Sequence, residues 1–409
     1  MVTVVPPQSK PLGGLPKGKV LGLNGASAVA QAMRQTNPDV VAAYPITPST
    51  IIVEVFSQMV ADGEVSTEFV AVESEHSAMS ACIGAAAAGA RTQTVTTSQG
   101  LALMWEELYV ASGMRLPIVL HGANRALSGP LNIHCDHTDT MGARDSGWLQ
   151  LYAESPQEAY DNALMSVRIA EHPSVLLPVL HSQDGYTVTH CMEPVHLLPD
   201  EAAKEFVGPY QPQVALLDMQ HPVTLGAQAS PDHFFEIKRG QVAAIERALS
   251  IVKAVSEEFS RLSGRPYGLI EGYKLDDAKL VMVALGSTAG TAKVVIDGLR
   301  ERGVKAGLMK IRCFRPFPSE EVAAALQGKE TVAVMDRAVA PGGAGNPLFS
   351  DICTTLFTHN VQVKAVNYVF GLGGRDAGMQ DLKTVYEGLL AIVKSGSRGP
   401  AVRYLGLRE

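Results

Sequence analysis

What this chain lacks narrows its function first. Its five cysteines, Cys82, Cys135, Cys191, Cys313 and Cys353, lie far apart, and none belongs to a C-x-x-C pair. That argues against an iron–sulfur or zinc site built from a local cysteine run. Free thiols in a reducing compartment are the plain reading. No apolar run is long enough to span a bilayer. Lys and Arg are scattered, and the formal net charge is −7. A nucleic-acid or anionic-membrane surface is therefore not expected. Residues 1–20 have no signal-like apolar core and are broken by prolines, so they read as an extended arm, and a cytoplasmic location is expected. There is no G-x-x-x-x-G-K-[ST] and no G-x-S-x-G, which removes the phosphate-binding loop and the nucleophile elbow.

What is present is 409 residues with 46% hydrophobic and 18% charged content, enough for two cores. From residue 21 short apolar strands alternate with helices, the pattern of βαβ units and a parallel sheet. Helices are expected over Gly25–Gln35, from Thr47-Pro48 to about Ala61, and from Ser98 to about Ala111. Thr47 reads as the cap of the second, with Pro48 as its first helical residue. Asn124–Trp148 reads as a long loop rich in turn formers, the kind that usually serves a site or an interface. The first domain is expected over 21–191, a linker arm with one long helix (Gln241–Arg261) over 192–278, and a smaller α/β domain over 279–409.

The stretch AVESEHSAMSACIGAAAAGA (71–90) is the focus. An apolar strand runs directly into Glu73 and Glu75, and a helix of very small side chains follows. A carboxylate here either answers the free N–H groups of the helix start or, buried, serves in proton exchange. Thr47, after another strand, is either a cap or part of an anion site at a helix start. The segment Thr96-Thr97-Ser98-Gln99-Gly100 repeats that arrangement one unit later. Arg125 follows a further strand and is either a surface arginine or the partner of a carboxylate substrate. His134–Asp139 has the residue types of a metal site but no periodicity to aim them. It reads as a rim or interface loop, and no metal is expected. Gly286–Gly290, Gly342–Gly345 and Gly371–Gly374 fall short of G-x-G-x-x-G and read as tight turns.

YPITPST (44–50), VESEHSAM (72–79), TTSQGLALM (96–104), ASGMRLPIV (111–119), the 124–148 stretch, IRCFRPFP (311–318) and GLGGRD (371–376) together resemble the α subunits of 2-oxoacid:ferredoxin oxidoreductases, most closely the pyruvate type. The similarity covers about residues 20–400. It implies an α/β fold in which a pyrimidine-type thiamine-diphosphate-binding domain precedes a transketolase C-terminal-like domain. It also implies that thiamine diphosphate is shared with a β subunit, which holds Mg²⁺ and a [4Fe–4S] cluster. Further γ- and δ-type subunits, coenzyme A as co-substrate and ferredoxin as electron acceptor complete the expectation. By motif, Glu75 would face N1′ of the cofactor's aminopyrimidine, and Thr47 and Arg125 would meet pyruvate. Tyr44, Pro45, Ile46, Ser98 and Gln99 would line the cofactor. The chain itself has neither the GDG diphosphate motif nor cluster cysteines.

Overall fold

The computed structural model describes residues 18–408; the expected 1–20 arm lies almost entirely outside them. A seven-stranded sheet runs in the order Cys313–Arg315, Leu149–Ala153, Val179–Asp184, Val119–Asn124, Thr92–Thr96, Val40–Ala43, Glu68–Ala71. All neighbours are parallel except the first pair. The inner strands are buried on both sides, as parallel sheets require, while the edge strand Glu68–Ala71 is partly exposed. Ala42 packs against the helix Glu75–Ala87 on one face. Val41 and Ala43 meet Phe56 and Val29 on the other. Strand order reverses at Val40–Ala43, which lies between Thr92–Thr96 and Glu68–Ala71. Ligand crevices of open α/β sheets form at the carboxyl ends beside such a reversal.

A six-stranded sheet follows, in the order Val402–Tyr404, Lys364–Val369, Thr331–Asp336, Leu280–Ala284, Ala306–Ile311, Ile270–Tyr273. Only its last edge is antiparallel. Ile270–Tyr273 was expected in the linker, yet it belongs to this sheet. Cys313–Arg315 comes from the second half of the chain but pairs with Leu149–Ala153 of the first sheet.

Other local expectations change as well. The helix after Val40–Ala43 begins at Thr50, with Ser49 in the cap position. The Ser49 amide and hydroxyl both donate to the Ile46 carbonyl, at 2.9 and 2.7 Å. That turn ends the extended segment after Thr47, which is left exposed and caps nothing. The expected Ser98–Ala111 helix breaks at Met104 into Ser98–Leu103 and Trp105–Gly113. The 192–238 arm contains Met192–His196, paired with Val20–Asn24, and the helix Asp200–Val207. The long helix spans Pro231–Ser263, ten residues earlier at its start than its apolar spacing suggested, with Pro231 in the first turn after Ser230.

Buried charge joins the halves. Lys310 is almost fully buried, and its Nζ meets Glu154 at 2.7 Å, Glu158 at 3.0 Å and Glu271 at 2.7 Å. Asp184, at the end of its strand, accepts from His137 at 2.8 Å, Arg337 at 2.9 Å and the Ser287 hydroxyl at 2.5 Å. Burial alone would raise its pKa; His137, Arg337 and Ser287 overcome that and hold it well below the ordinary carboxylate range. A depressed folded-state pKa means stability that is complete above the ordinary value of 3.8 and is lost as pH falls below it. Asp184→Asn is expected to cost about 3 kcal/mol at neutral pH, because it leaves the Arg337 charge buried and unpaired. Thermal melting of the full chain against pH checks this: the gap between wild type and variant should close in acid.

The glycine run after Phe370 packs on the 132–136 loop. Gly374 sits at φ +79, and a Cβ there would stand 2.3 Å from the His134 Cβ. Gly374→Ala is expected to destabilise by about 2 kcal/mol or more, read as a lower melting midpoint.

Candidate active site

The site is built at the strand reversal, and Asp139 is its fastener. This carboxylate is buried in the short helix Thr138–Gly142, inside the stretch expected to be loop. It accepts from the amides of Ser98 (3.1 Å), Arg125 (3.0 Å) and Thr140 (2.7 Å), and from the side-chain amide of Asn124 (3.1 Å). Burial pushes its pKa up while these donors act in the opposite direction. One carboxylate thus ties the end of Thr92–Thr96 to the end of Val119–Asn124.

Ser98 is held at φ +50, a conformation that non-glycine residues rarely adopt. Its amide is committed to Asp139, and its hydroxyl reaches the Ala126 carbonyl at 2.5 Å and Gln99 at 2.6 Å. Such local strain is kept where the surroundings determine it.

Arg125 is buried, not a surface residue. Its Nε donates to the Asn132 carbonyl at 2.8 Å and its Nη1 to the Thr47 carbonyl at 2.9 Å. Thr47 and Arg125 are therefore brought together, with the guanidinium fixing the Tyr44–Pro48 loop. In that loop Tyr44, Pro45 and Thr47 are exposed and Ile46 is half-buried. Gln99 is half-buried beside Ser98.

Glu75 opens its helix in the first turn, behind Ser74, whose hydroxyl accepts from the Ser77 amide. The cap role that one reading gave to Glu75 is thus taken by Ser74. Glu75 is only 7% exposed. Among the described residues its carboxylate has no ion-pair or hydrogen-bond partner, whereas its exposed neighbour Glu73 is bonded by Ser77. It lies against Gly100: a Cβ on that glycine would stand 2.6 Å from Glu75 Oε1 and 2.3 Å from Thr96 Oγ1. Thr96 is fully buried, and its hydroxyl also lacks a partner among the described residues. Native structures rarely leave buried polar atoms unpaired without cause.

The roles of Thr96, Gly100, Asp139 and Asp184 are not legible in the sequence. The first two carried one signal, the TTSQG segment itself. The other two act across distances in the chain that periodicity does not reveal. Cys135, His137 and Asp184 lie close enough to hold an ion, but Asp184 is already engaged by His137, Arg337 and Ser287. Past the site the helix faces are bare: Leu103, Trp105, Tyr109 and Val110 are all exposed. No described helix is long and apolar enough to cross a membrane.

These residues would suit the heterocyclic end of thiamine diphosphate. They offer a buried acid and a small-residue floor for a polar heterocycle, but no acidic motif for a diphosphate-bound divalent cation. Comparison with known proteins agrees with a thiamine diphosphate-binding domain here. Residues 31–257 match the family model described as pyruvate flavodoxin/ferredoxin oxidoreductase, thiamine diphosphate-binding. Residues 278–382 match the pyruvate:ferredoxin oxidoreductase core domain II. A pyruvate synthase subunit PorA from Thermotoga maritima is 51% identical over 95% of this chain and 98% of its own length. A ketoisovalerate oxidoreductase subunit VorA from Pyrococcus horikoshii is 40% identical over 95% and 98%. A solved 2-oxoglutarate:ferredoxin oxidoreductase from Magnetococcus marinus has a TM-score of 0.71 at 17% identity. That match covers 91% of this chain and 65% of the other, and it speaks to fold alone.

Proposed function

The chain belongs to the pyruvate:ferredoxin oxidoreductase family, and from that membership we propose that it is the α-type subunit of a cytoplasmic assembly. The assembly interconverts pyruvate and coenzyme A with acetyl-coenzyme A and CO₂, passing electrons to ferredoxin. The observation that carries the site assignment is the buried, unpartnered Glu75 carboxylate on the bare face of Gly100.

Thiamine diphosphate, when bound, supplies the carbon nucleophile and the electron sink for decarboxylation. This chain's contribution is to bind, orient and move one proton. Glu75 exchanges a proton with the aminopyrimidine ring nitrogen, N1′. Tyr44, Pro45, Ile46, Ser98 and Gln99 form the surrounding wall. Arg125, already placed by two carbonyls, directs its remaining N–H groups to the carboxylate of pyruvate, and the Thr47 hydroxyl meets the same substrate. A partner β subunit contributes Mg²⁺, the diphosphate site and a [4Fe–4S] cluster, and γ- and δ-type subunits complete the electron path. The exposed Leu103, Trp105, Tyr109 and Val110 beside the site support dependence on a partner.

The test is side-by-side viologen reduction by the assembled complex with pyruvate, 2-oxoisovalerate and 2-oxoglutarate, each with coenzyme A. Pyruvate should be turned over best. A preference for the branched acid would move the substrate and keep the family.

A further inference from the structure

Three threonines near Thr96 have partners. Thr92 donates to the Ala90 carbonyl, Thr94 to the Ala42 carbonyl and Thr97 to the Ala123 carbonyl. Thr96 is as deeply buried as any of them, yet its hydroxyl has none among the described residues. That hydroxyl and Glu75 Oε1 converge on one point, the space where a Gly100 side chain would begin. Gly100 has no left-handed φ, so glycine is not needed there for its backbone freedom. It is needed for room, because any side chain would push the two oxygens apart.

The two oxygens are not bonded to each other in this structure; we propose that Thr96 is a positioning residue for Glu75, and that across the bare Cα of Gly100 its hydroxyl closes onto the Glu75 carboxyl when the cofactor is bound and fixes the oxygen that the carboxyl presents to it. The choice of a hydroxyl has a chemical reason. It donates to a carboxylate and accepts from a carboxylic acid. One group therefore keeps hold of Glu75 before and after its proton moves, with no bond broken or electron transferred. A methyl in its place does neither. This inference rests on the assignment of Glu75 made above.

The experiment uses the assembled complex carrying Thr96→Val, Thr96→Ser, Gly100→Ala or Glu75→Gln. Three quantities are read: steady-state kcat and KM for pyruvate, deuterium exchange at C2 of bound thiamine diphosphate without pyruvate, and amide exchange of peptides spanning 92–104. Thr96→Val should lower kcat and slow C2 exchange by about 10-fold, the worth of one hydrogen bond to a charged group. Its pyruvate KM and amide exchange should match wild type, Thr96→Ser should restore both rates, and Gly100→Ala should slow C2 exchange as well. Wild-type rates in Thr96→Val would overturn the proposal. So would a loss that Ser does not rescue and that faster amide exchange accompanies, because Thr96 would then be only structural. Wild-type C2 exchange in Glu75→Gln would instead defeat the Glu75 assignment itself.

Discussion

Glu75→Gln is expected to lower coenzyme A-dependent viologen reduction with pyruvate by about 10²-fold or more, the scale of a lost general acid–base group. The substitution keeps the shape of the side chain and removes only its ability to exchange a proton. The structure predicts that little else changes. No described cation pairs with Glu75, so no ion pair is broken, and Ser74 still caps the helix. An uncharged amide is also easier to bury than a carboxylate. The variant complex should therefore assemble normally and melt no earlier than wild type. Activity assays on matched amounts of assembled complex, with melting as the control, decide the matter. Full activity would mean that this chain serves as a scaffold and that the acid lies elsewhere.

Arg125→Lys should raise the KM for pyruvate by about 10²-fold even though the charge is kept. The guanidinium commits its Nε and one Nη1 hydrogen to the carbonyls of Asn132 and Thr47. Its planar fork lets the remaining N–H groups face a carboxylate at the same time. An ammonium is a point donor and cannot span the two carbonyls and the substrate together. It loses one or two charge-assisted bonds, each worth about 1.5–3 kcal/mol. It also frees the Thr47 loop. The expected signature is a rise in KM larger than the fall in kcat, measured by initial rates across a wide pyruvate range. Equal losses in kcat and kcat/KM would assign Arg125 to the transition state alone.

Much of this architecture is legible in the sequence because parallel strands buried on both faces leave plain apolar runs, and the helices between them have strong start signals. Glu75 stood out for the same local reason: a carboxylate between an apolar strand and a helix of alanines is out of place unless it is used. The β-branched run TQTVTT announced a strand but hid Thr96, since a threonine in a strand is ordinary until its hydroxyl is found unpaired. Asp139 and Asp184 look like loop and strand-end acids. Apart from Thr140, their partners lie 14 to 153 residues away along the chain, and spacing cannot show that. Thr-Pro is a good helix opening, so the sequence alone allows Thr47 a cap role beside the anion-site one. Ser49 and the Ile46 carbonyl close a turn first, and this leaves Thr47 outside the helix and available to the site.

The strand Cys313–Arg315 limits how the molecule can be divided. It occupies the outer edge of the first sheet although the second half of the chain encodes it. A gene cut near residue 278 would produce a front fragment whose Leu149–Ala153 edge is open, with unpaired amides and carbonyls ready to take any passing strand. It would also strip Glu154 and Glu158 of Lys310. The front fragment would be an adhesive, prone to pair with its own kind or to capture the strand of another copy. Any viable split of this polypeptide into separately made pieces has to fall after Arg315, or supply that strand in trans.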